Sequence, residues 1–345
     1  MKALATGATG FIGSHIVDHL LVRGDSVRAL VRPDSDTRRL VRQGVRLVYG
    51  DLTDHAVLDT AVEGVDVIYH VAALLGKGHS ATAMITTNVV GTENLLGACV
   101  RQAVSRFVFL SSVSVYAPSS AHLVDEDAPQ GETGTYGQSK SAAERIIQHY
   151  AQTYGMNYSV LRPCRVYGER DERYTGRLLR ILRAPIIPVV SGGWPFYNLV
   201  HASDVADAAI LAGTRPGALG QTFNITDGQG AFLGEIVEAV RALSGQKQMI
   251  LPVPQHLAAF AYRLRLVLRA RRTRKDRRKD SVRWQRCHLF CAQHFDISKA
   301  RRDIGYEPQI NLQEGLRRAM AWYEQERASC RACMEEACIR SSIAR

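Results

Sequence analysis

In TYGQSKSAAE, Tyr136 and Lys140 stand four residues apart at the start of a helical run, so a phenol and an ammonium share one helix face. A free phenol titrates near ~10, and a neighbouring ammonium lowers that by ~1–3 units. Such a pair can move a proton near neutral pH. The spacing arises easily by chance, so it needs partners. Upstream, the apolar strand in FVFLSSVSVYA closes on Ser111 and Ser112. Hydroxyls there can orient a reacting oxygen, or they can simply end the strand and cap the next turn.

The elements that must hold these groups repeat a βα rhythm. Strands are expected at Lys2–Thr6, Ser26–Arg32, Val45–Tyr49, Asp66–Val71, Arg106–Ser111 and Tyr158–Leu161, with helices such as Phe11–Val22 and Thr86–Gln102 between them. Strands this uniformly apolar suit a parallel sheet covered on both faces, a doubly wound α/β fold of Rossmann type, with ligands beyond the C-terminal strand ends. After about Cys164 the rhythm loosens around Pro185, Pro188 and Gly192-Gly193. The expected division is a dinucleotide-binding domain over 1–164, completed by about 199–226, and a smaller substrate-binding region from 165–198 and 227–327. The tail 328–345 has no assigned role.

Between the first strand and helix, ATGATGFIG spaces Gly7, Gly10 and Gly13 as G-x-x-G-x-x-G. Glycines there let the backbone approach a pyrophosphate, and the free N–H groups opening the helix stabilise its charge. The plain alternative is a glycine turn that only helps the helix pack. In YGDLTD, Asp51 stands where an adenine amino group can be held, with Leu52 lining the ring, or it caps the next helix. The second strand ends in ALVRPDSDTRR without the carboxylate that usually holds a ribose 2′-OH. Arg32, Arg38 and Arg39 offer positive charge instead, which favours NADP over NAD. Their plain reading is solvated surface beside Asp34 and Asp36.

Composition narrows the classes. The net charge is +11, yet Arg263–Arg286 carries twelve Lys/Arg against Asp276 and Asp280, a net of +10. The rest of the chain is nearly neutral, which argues against a dedicated nucleic-acid binder. No apolar run approaches the length of a spanning helix, and seven scattered cysteines read as reduced thiols, so a cytoplasmic protein is expected. Cys287, His288, Cys291 and His294, and the tail cysteines 330, 333 and 338, contain zinc-type ligands without a strong metal spacing, so no metal is expected.

Taken together, TGATGFIG, GDLTD, HVAA at His70–Ala73, NVVGTENLL from Asn88, LSSVSVY, YGQSK, LRPCRVYG, LVHASDVADAA and FDISKARRDIGYEP resemble the extended short-chain dehydrogenase/reductase family, from about Met1 to Gln325. The branch most resembled contains dihydroflavonol reductases and 3β-hydroxysteroid dehydrogenases. The resemblance implies a homodimer and hydride transfer to or from a nicotinamide, with Tyr136 as acid/base. Lys140 would lower the Tyr136 pKa and bind the nicotinamide ribose, and Ser112 would hold the substrate oxygen. It places Gly7, Gly10, Phe11, Ile12, Gly13, Arg32, Asp51, Leu52, Val71, Ala72, Ala73, Asn88, Ser111 and Pro163 along the cofactor. Asn88 would keep its helix kinked and support a proton path.

Departures from the family pattern bear on substrate. Nucleotide-sugar members commonly carry Asn where this chain has Arg165, and Arg where it has Tyr197, both on the substrate diphosphate. The expected reaction is therefore interconversion of a secondary alcohol and a ketone on a hydrophobic, steroid-like or polycyclic molecule. The alternatives are a nucleotide-sugar epimerase or dehydratase with bound NAD, and a non-catalytic nucleotide-binding protein docked on a membrane. Leu257, Phe260, Ala261, Leu264, Val267 and Leu268 recur at helical spacing beside the basic run, so 255–286 can contact a membrane surface peripherally or form a packed lid helix.

Overall fold

A computed structural model describes residues 1–75, 79–117, 123–131, 134–182, 184–191, 196–245, 249–254, 257 and 294–326. The expectations for 255–286 (Leu257 apart), for Cys287, His288 and Cys291, and for the cysteine-bearing tail lie outside the described residues.

The first half runs β1 (Lys2–Thr6), α1 (Phe11–Val22), β2 (Ser26–Val31), α2 (Arg38–Arg42), β3 (Arg46–Tyr49), α3 (His55–Val62) and β4 (Val67–His70). It continues through α4 (Ala81–Ile85), a π-turn at Thr86–Val90, α5 (Gly91–Arg101), β5 (Arg106–Leu110), β6 (Leu123–Val124), α6 (Thr135–Tyr154) and β7 (Tyr158–Pro163). The second half adds β8 (Arg165–Tyr167), α7 (Thr175–Leu182), β9 (Ile186–Ser191), β10 (Phe196–Tyr197), β11 (Leu199–His201), α8 (Ala202–Thr214) and β12 (Gln221–Ile225). It ends with β13 (Ala231–Phe232), α9 (Leu233–Ser244), β14 (Met249–Pro254), β15 (His294–Phe295), α10 (Ser298–Ile304) and a helix α11 over 312–326.

Seven strands form one parallel sheet in the order β12-β7-β5-β4-β1-β2-β3. The chain leaves β1 toward β2 on one side and later restarts at β4 on the other, so the crevice lies between the C-terminal ends of β1 and β4. Side chains alternate across the sheet. Ala3, Ala5, Ala29, Tyr69 and Val108 join one core with Ile16 and Leu20 of α1 and Val205 and Ala209 of α8. Leu4, Leu30, Ile68, Phe107 and Phe109 join the other with Leu58 of α3, Leu95 of α5 and Ile147 of α6. Burying each large aliphatic side chain contributes roughly 1.5–3 kcal/mol, and these two layers fix the strand ends that carry the site.

A third core unites Tyr167, Leu179, Leu199, Ile236 and Val240 with Leu316, Ala319 and Met320 of α11. These residues lie outside the seven-stranded sheet and form a core of their own, whereas Ile297, Ala300 and Ile304 join the core of α1 and α8. Among the described residues no helix is long and apolar enough to cross a membrane, and no group of metal-ligating side chains gathers.

Several boundaries depart from the sequence expectation. The strands expected to reach Arg32, Val71 and Ser111 stop at Val31, His70 and Leu110, because the chain leaves the ladder there to form the loops of the crevice. The helix expected from Thr86 begins at Ala81 and passes through the π-turn before continuing as α5. That turn contains Asn88, the residue at which a kink is expected.

Candidate active site

The crevice is shaped by backbone contact. Gly7 has φ +69°, and a Cβ on it would sit 2.8 Å from the Ala72 nitrogen, so the loops after β1 and β4 touch there. A Cβ on Gly13 would come within 2.1 Å of the Gly7 carbonyl oxygen, which is how closely α1 lies on the loop. Gly10 is the N-cap of α1; it supplies no side-chain cap, and the first turn carries no acidic residue. The amides of Phe11, Ile12 and Gly13 therefore face outward at the positive end of a twelve-residue helix. This cradle, which a side chain would fill, fits the pyrophosphate of a dinucleotide. Gly7, Gly10, Phe11, Ile12 and Gly13 would hold it from one side and Val71–Ala73 from the other.

The β4 side is set by a buried relay. Thr92 donates its hydroxyl to the Asn88 carbonyl at 2.8 Å, so its oxygen accepts from His70 Nε2 at 2.9 Å. His70 Nδ1 then accepts from the Thr6 hydroxyl at 2.7 Å, and Thr6 Oγ1 receives the amides of Val71 and Ala72 at 3.2 Å each. Burial pushes the His70 pKa down to about 3, consistent with this neutral tautomer. Asn88 accepts from the Leu74 amide at 2.7 Å and donates to the Leu74 carbonyl at 3.0 Å and to Ser139 Oγ at 3.0 Å. Its side chain is 1% exposed and fully engaged, so it positions the 71–75 loop rather than touching a ligand.

At the far end of the crevice, Asp51 follows β3, exposed, accepting from the amide and hydroxyl of Thr53. The cap of α3 is Asp54, not Asp51. Leu52 is buried against Gly91 of α5. The three arginines separate. Arg39 is tied to Asp18 and to the Ser14 carbonyl, both at 2.6 Å, Arg38 pairs with Asp36 at 2.6 Å, and Arg32 is mostly exposed with Asp34 3.5 Å away. Arg39 therefore serves α1, and Arg32 is the cation at the end of β2.

Ser112 and Tyr136 come together, while Lys140, one turn along the same helix, is engaged elsewhere, and the charge balance differs from expectation. Ser112 hydrogen-bonds the Tyr136 hydroxyl and also caps the short turn Val113–Val115. Burial, reinforced by the neighbouring Tyr174 phenol, pushes the Tyr136 pKa up to about 12. Lys140 does not lower it: its Nζ is buried, donates to the Leu110 carbonyl at 2.7 Å and lies 4.5 Å over the Phe109 ring. Desolvation brings that ammonium down to about 7, opposed by the Glu144 carboxylate. Tyr136 is accordingly a protonated donor at neutral pH.

Ser111 donates its hydroxyl to Glu144 and is 2% exposed, which leaves only its backbone for any cofactor contact. Glu144 also receives Arg162 through two bonds at 3.1 and 2.7 Å and Gln130 at 2.8 Å. Arg162 reaches Tyr116, whose hydroxyl donates to Asn224 at 2.6 Å. This buried network joins α6, β7 and β12 beneath the site, and the sequence reading missed it. Glu144 follows Lys140 by four residues, and that shared helix face is the available signal. Pro163 ends β7 opposite Ile225, and two residues later the exposed Arg165 begins β8.

The profile of the NAD dependent epimerase/dehydratase family matches residues 3–226, and the chain belongs to that family. It is an NAD(P)-dependent enzyme of the short-chain dehydrogenase/reductase type. It is 30% identical over 336 residues to a 2-alkyl-3-oxoalkanoate reductase of Stenotrophomonas maltophilia, covering 93% of this chain and 99% of that one. A 3 beta-hydroxysteroid dehydrogenase/Delta 5-->4-isomerase of Mycobacterium tuberculosis is 30% identical over 359 residues, covering 93% and 90%. The UDP-glucose 4-epimerase structure from Thermotoga maritima superposes with a TM-score of 0.76 at 22% identity over 94% of this chain and 99% of that one, a likeness of fold.

Proposed function

We propose that this enzyme is an NADP-preferring ketoreductase acting on a hydrophobic carbonyl compound. The bound dinucleotide would supply the hydride. The observation that carries the reading is the Tyr136 phenol, kept protonated by burial and held by Ser112. A carbonyl oxygen seated between these hydroxyls is polarised by both, and Tyr136 gives it the proton as negative charge develops. Lys140 and Leu110 fix the floor below, and the Asn88–Ser139 bond fixes the wall beside α6. The two relatives described above bear names of carbonyl or alcohol redox enzymes, one for a 3-oxo acid and one for a steroid.

The preference for NADP rests on Arg32, exposed just past the end of β2 and only loosely paired with the exposed Asp34 at 3.5 Å. We further propose a cytoplasmic homodimer, on the family resemblance, and contact of 255–286 with anionic membrane surfaces, on its charge and apolar spacing.

Tyr136→Phe tests the reaction. Turnover of a ketone, followed as NADPH absorbance, is expected to fall about 10²–10⁴-fold while NADPH binding persists. An undiminished rate would remove Tyr136 from the chemistry, and an oxidoreductase reading with it.

A further inference from the structure

Two residues past the end of β7 lies a charge that the reaction does not use. Arg165 opens β8, is exposed, and sits between two phenols: its guanidinium carbon is 4.9 Å from the Tyr197 ring centroid and 5.9 Å from that of Tyr174. Tyr197 is placed by the β10–β13 pair, and β11 beyond it runs in register with β8, Leu199 opposite Arg165. Tyr174 in turn neighbours the reacting phenol of Tyr136. One aromatic ring therefore adjoins both the proton donor and the guanidinium.

A guanidinium stacked on aromatic faces keeps its N–H groups in the plane of the fork, pointing away from the rings. Among the described residues no carboxylate or carbonyl accepts from Arg165, whereas Arg39, Arg101, Arg162, Arg301 and Arg317 all have such partners. The edge is thus oriented and charged, with no acceptor among the described residues. A planar fork of this kind matches a single carboxylate through two parallel hydrogen bonds.

We propose that Arg165 binds a carboxylate of the substrate, and that the enzyme reduces a 3-oxo acid rather than a neutral steroid. Tyr174 neighbours both groups, so a substrate whose carbonyl meets Tyr136 can present a nearby anionic group to Arg165. A carboxylate separated from the ketone by one carbon satisfies this, and the remaining alkyl chain supplies the hydrophobic part. Arg165 is a specificity residue here, holding the substrate while Tyr136 and Ser112 act on it. The inference rests on the ketoreductase reading given above.

The test compares a freshly saponified long-chain 3-oxo acid, its methyl ester and the corresponding methyl ketone, with NADPH, on the full chain and on Arg165→Gln and Arg165→Lys. The wild type is expected to prefer the acid about tenfold or more in kcat/KM, mainly through KM. Arg165→Gln should erase that preference, bringing kcat/KM for the acid down to that for the ester; Arg165→Lys, which keeps the charge and loses the fork, should fall between. Equal rates on acid and ester, unaltered by Arg165→Gln, overturn the carboxylate assignment and leave the ketoreductase standing. Reduction of none of the three, in a protein that still binds NADPH, overturns both. UDP supplied as a competitor distinguishes the other anionic source: inhibition lost in Arg165→Gln, without acid preference, assigns the arginine to a diphosphate and overturns the 3-oxo acid.

Discussion

Lys140 Nζ lies 2.7 Å from the carbonyl oxygen of Leu110, so an ammonium from α6 is brought under the last residue of β5 and away from water. Its pKa near 7, against an ordinary 10.5, makes it a functional group carried at a cost to the empty fold. Between about pH 7 and 10.5 the unfolded chain binds this proton and the folded chain does not, so stability attributable to Lys140 rises with pH across that window. Below it, the buried charge is a full penalty.

Lys140→Met is therefore expected to stabilise the cofactor-free protein by about 1–3 kcal/mol near pH 6, and by little above pH 10, while cutting turnover at least about 100-fold. Melting temperatures at the two pH values check the sign. A variant that melts lower than wild type at pH 6 contradicts the burial argument.

The high pKa of Tyr136, about 12, sets a direction in pH. Ketone reduction needs the phenol and should be nearly flat from about pH 6 to 9. Alcohol oxidation needs the phenolate and should climb about tenfold per pH unit over the same range. Initial rates both ways settle this; a bell centred near neutrality for oxidation would show that Tyr136 titrates far lower than its surroundings dictate.

The two later glycines of the crevice should separate in their effects. A Cβ at Gly13 meets the Gly7 carbonyl at 2.1 Å, backbone against backbone, whereas at Gly10 the nearest atom is the same oxygen at 3.1 Å. Gly13→Ala should cost about 2–4 kcal/mol and abolish dinucleotide binding, because α1 must move off the loop. Gly10→Ala should retain most stability and lose affinity for NADPH. Thermal melts with and without NADPH distinguish the two.

Cofactor choice is tested on two arginines that sequence alone treats alike. Arg32→Gln is expected to raise the KM for NADPH about tenfold and to leave NADH unaffected. Arg39→Gln loses the bonds to Asp18, which Arg170 and Gln43 still hold, and to the Ser14 carbonyl, and should lower stability by about 1 kcal/mol without altering the NADPH to NADH ratio. An unchanged ratio in the Arg32 variant argues for NAD.

How much of this was legible in the residues depends on range. The boundaries of β1 and α1 follow from local apolar spacing and the flanking glycines, and they coincide with expectation. Tyr136 and Lys140 share a helix face because helix geometry is local. What they face is not local: Lys140 meets Leu110 across thirty residues, and Glu144 meets Arg162 across eighteen. The expectation that Lys140 lowers the Tyr136 pKa failed for that reason, since spacing reports proximity and says nothing about burial. Arg32 and Arg39 make the same point, since charge composition cannot tell a solvated cation from one bound to a neighbouring helix.

The packing of α10 and α11 has a consequence for the making of the protein. Tyr306 donates to the Thr226 carbonyl, α10 belongs to the core shared by α1 and α8, and Leu316, Ala319 and Met320 complete the core behind β8. Strands β1 to β5 can pair as soon as they leave the ribosome, but both bodies are sealed by residues translated after position 297. A nascent chain holding its glycine loop, Ser112, Tyr136 and Lys140 would still expose the inner faces that α10 and α11 cover. Stop codons or cleavage before about residue 320 would therefore leave every reacting group in the chain and the fold unfinished around them.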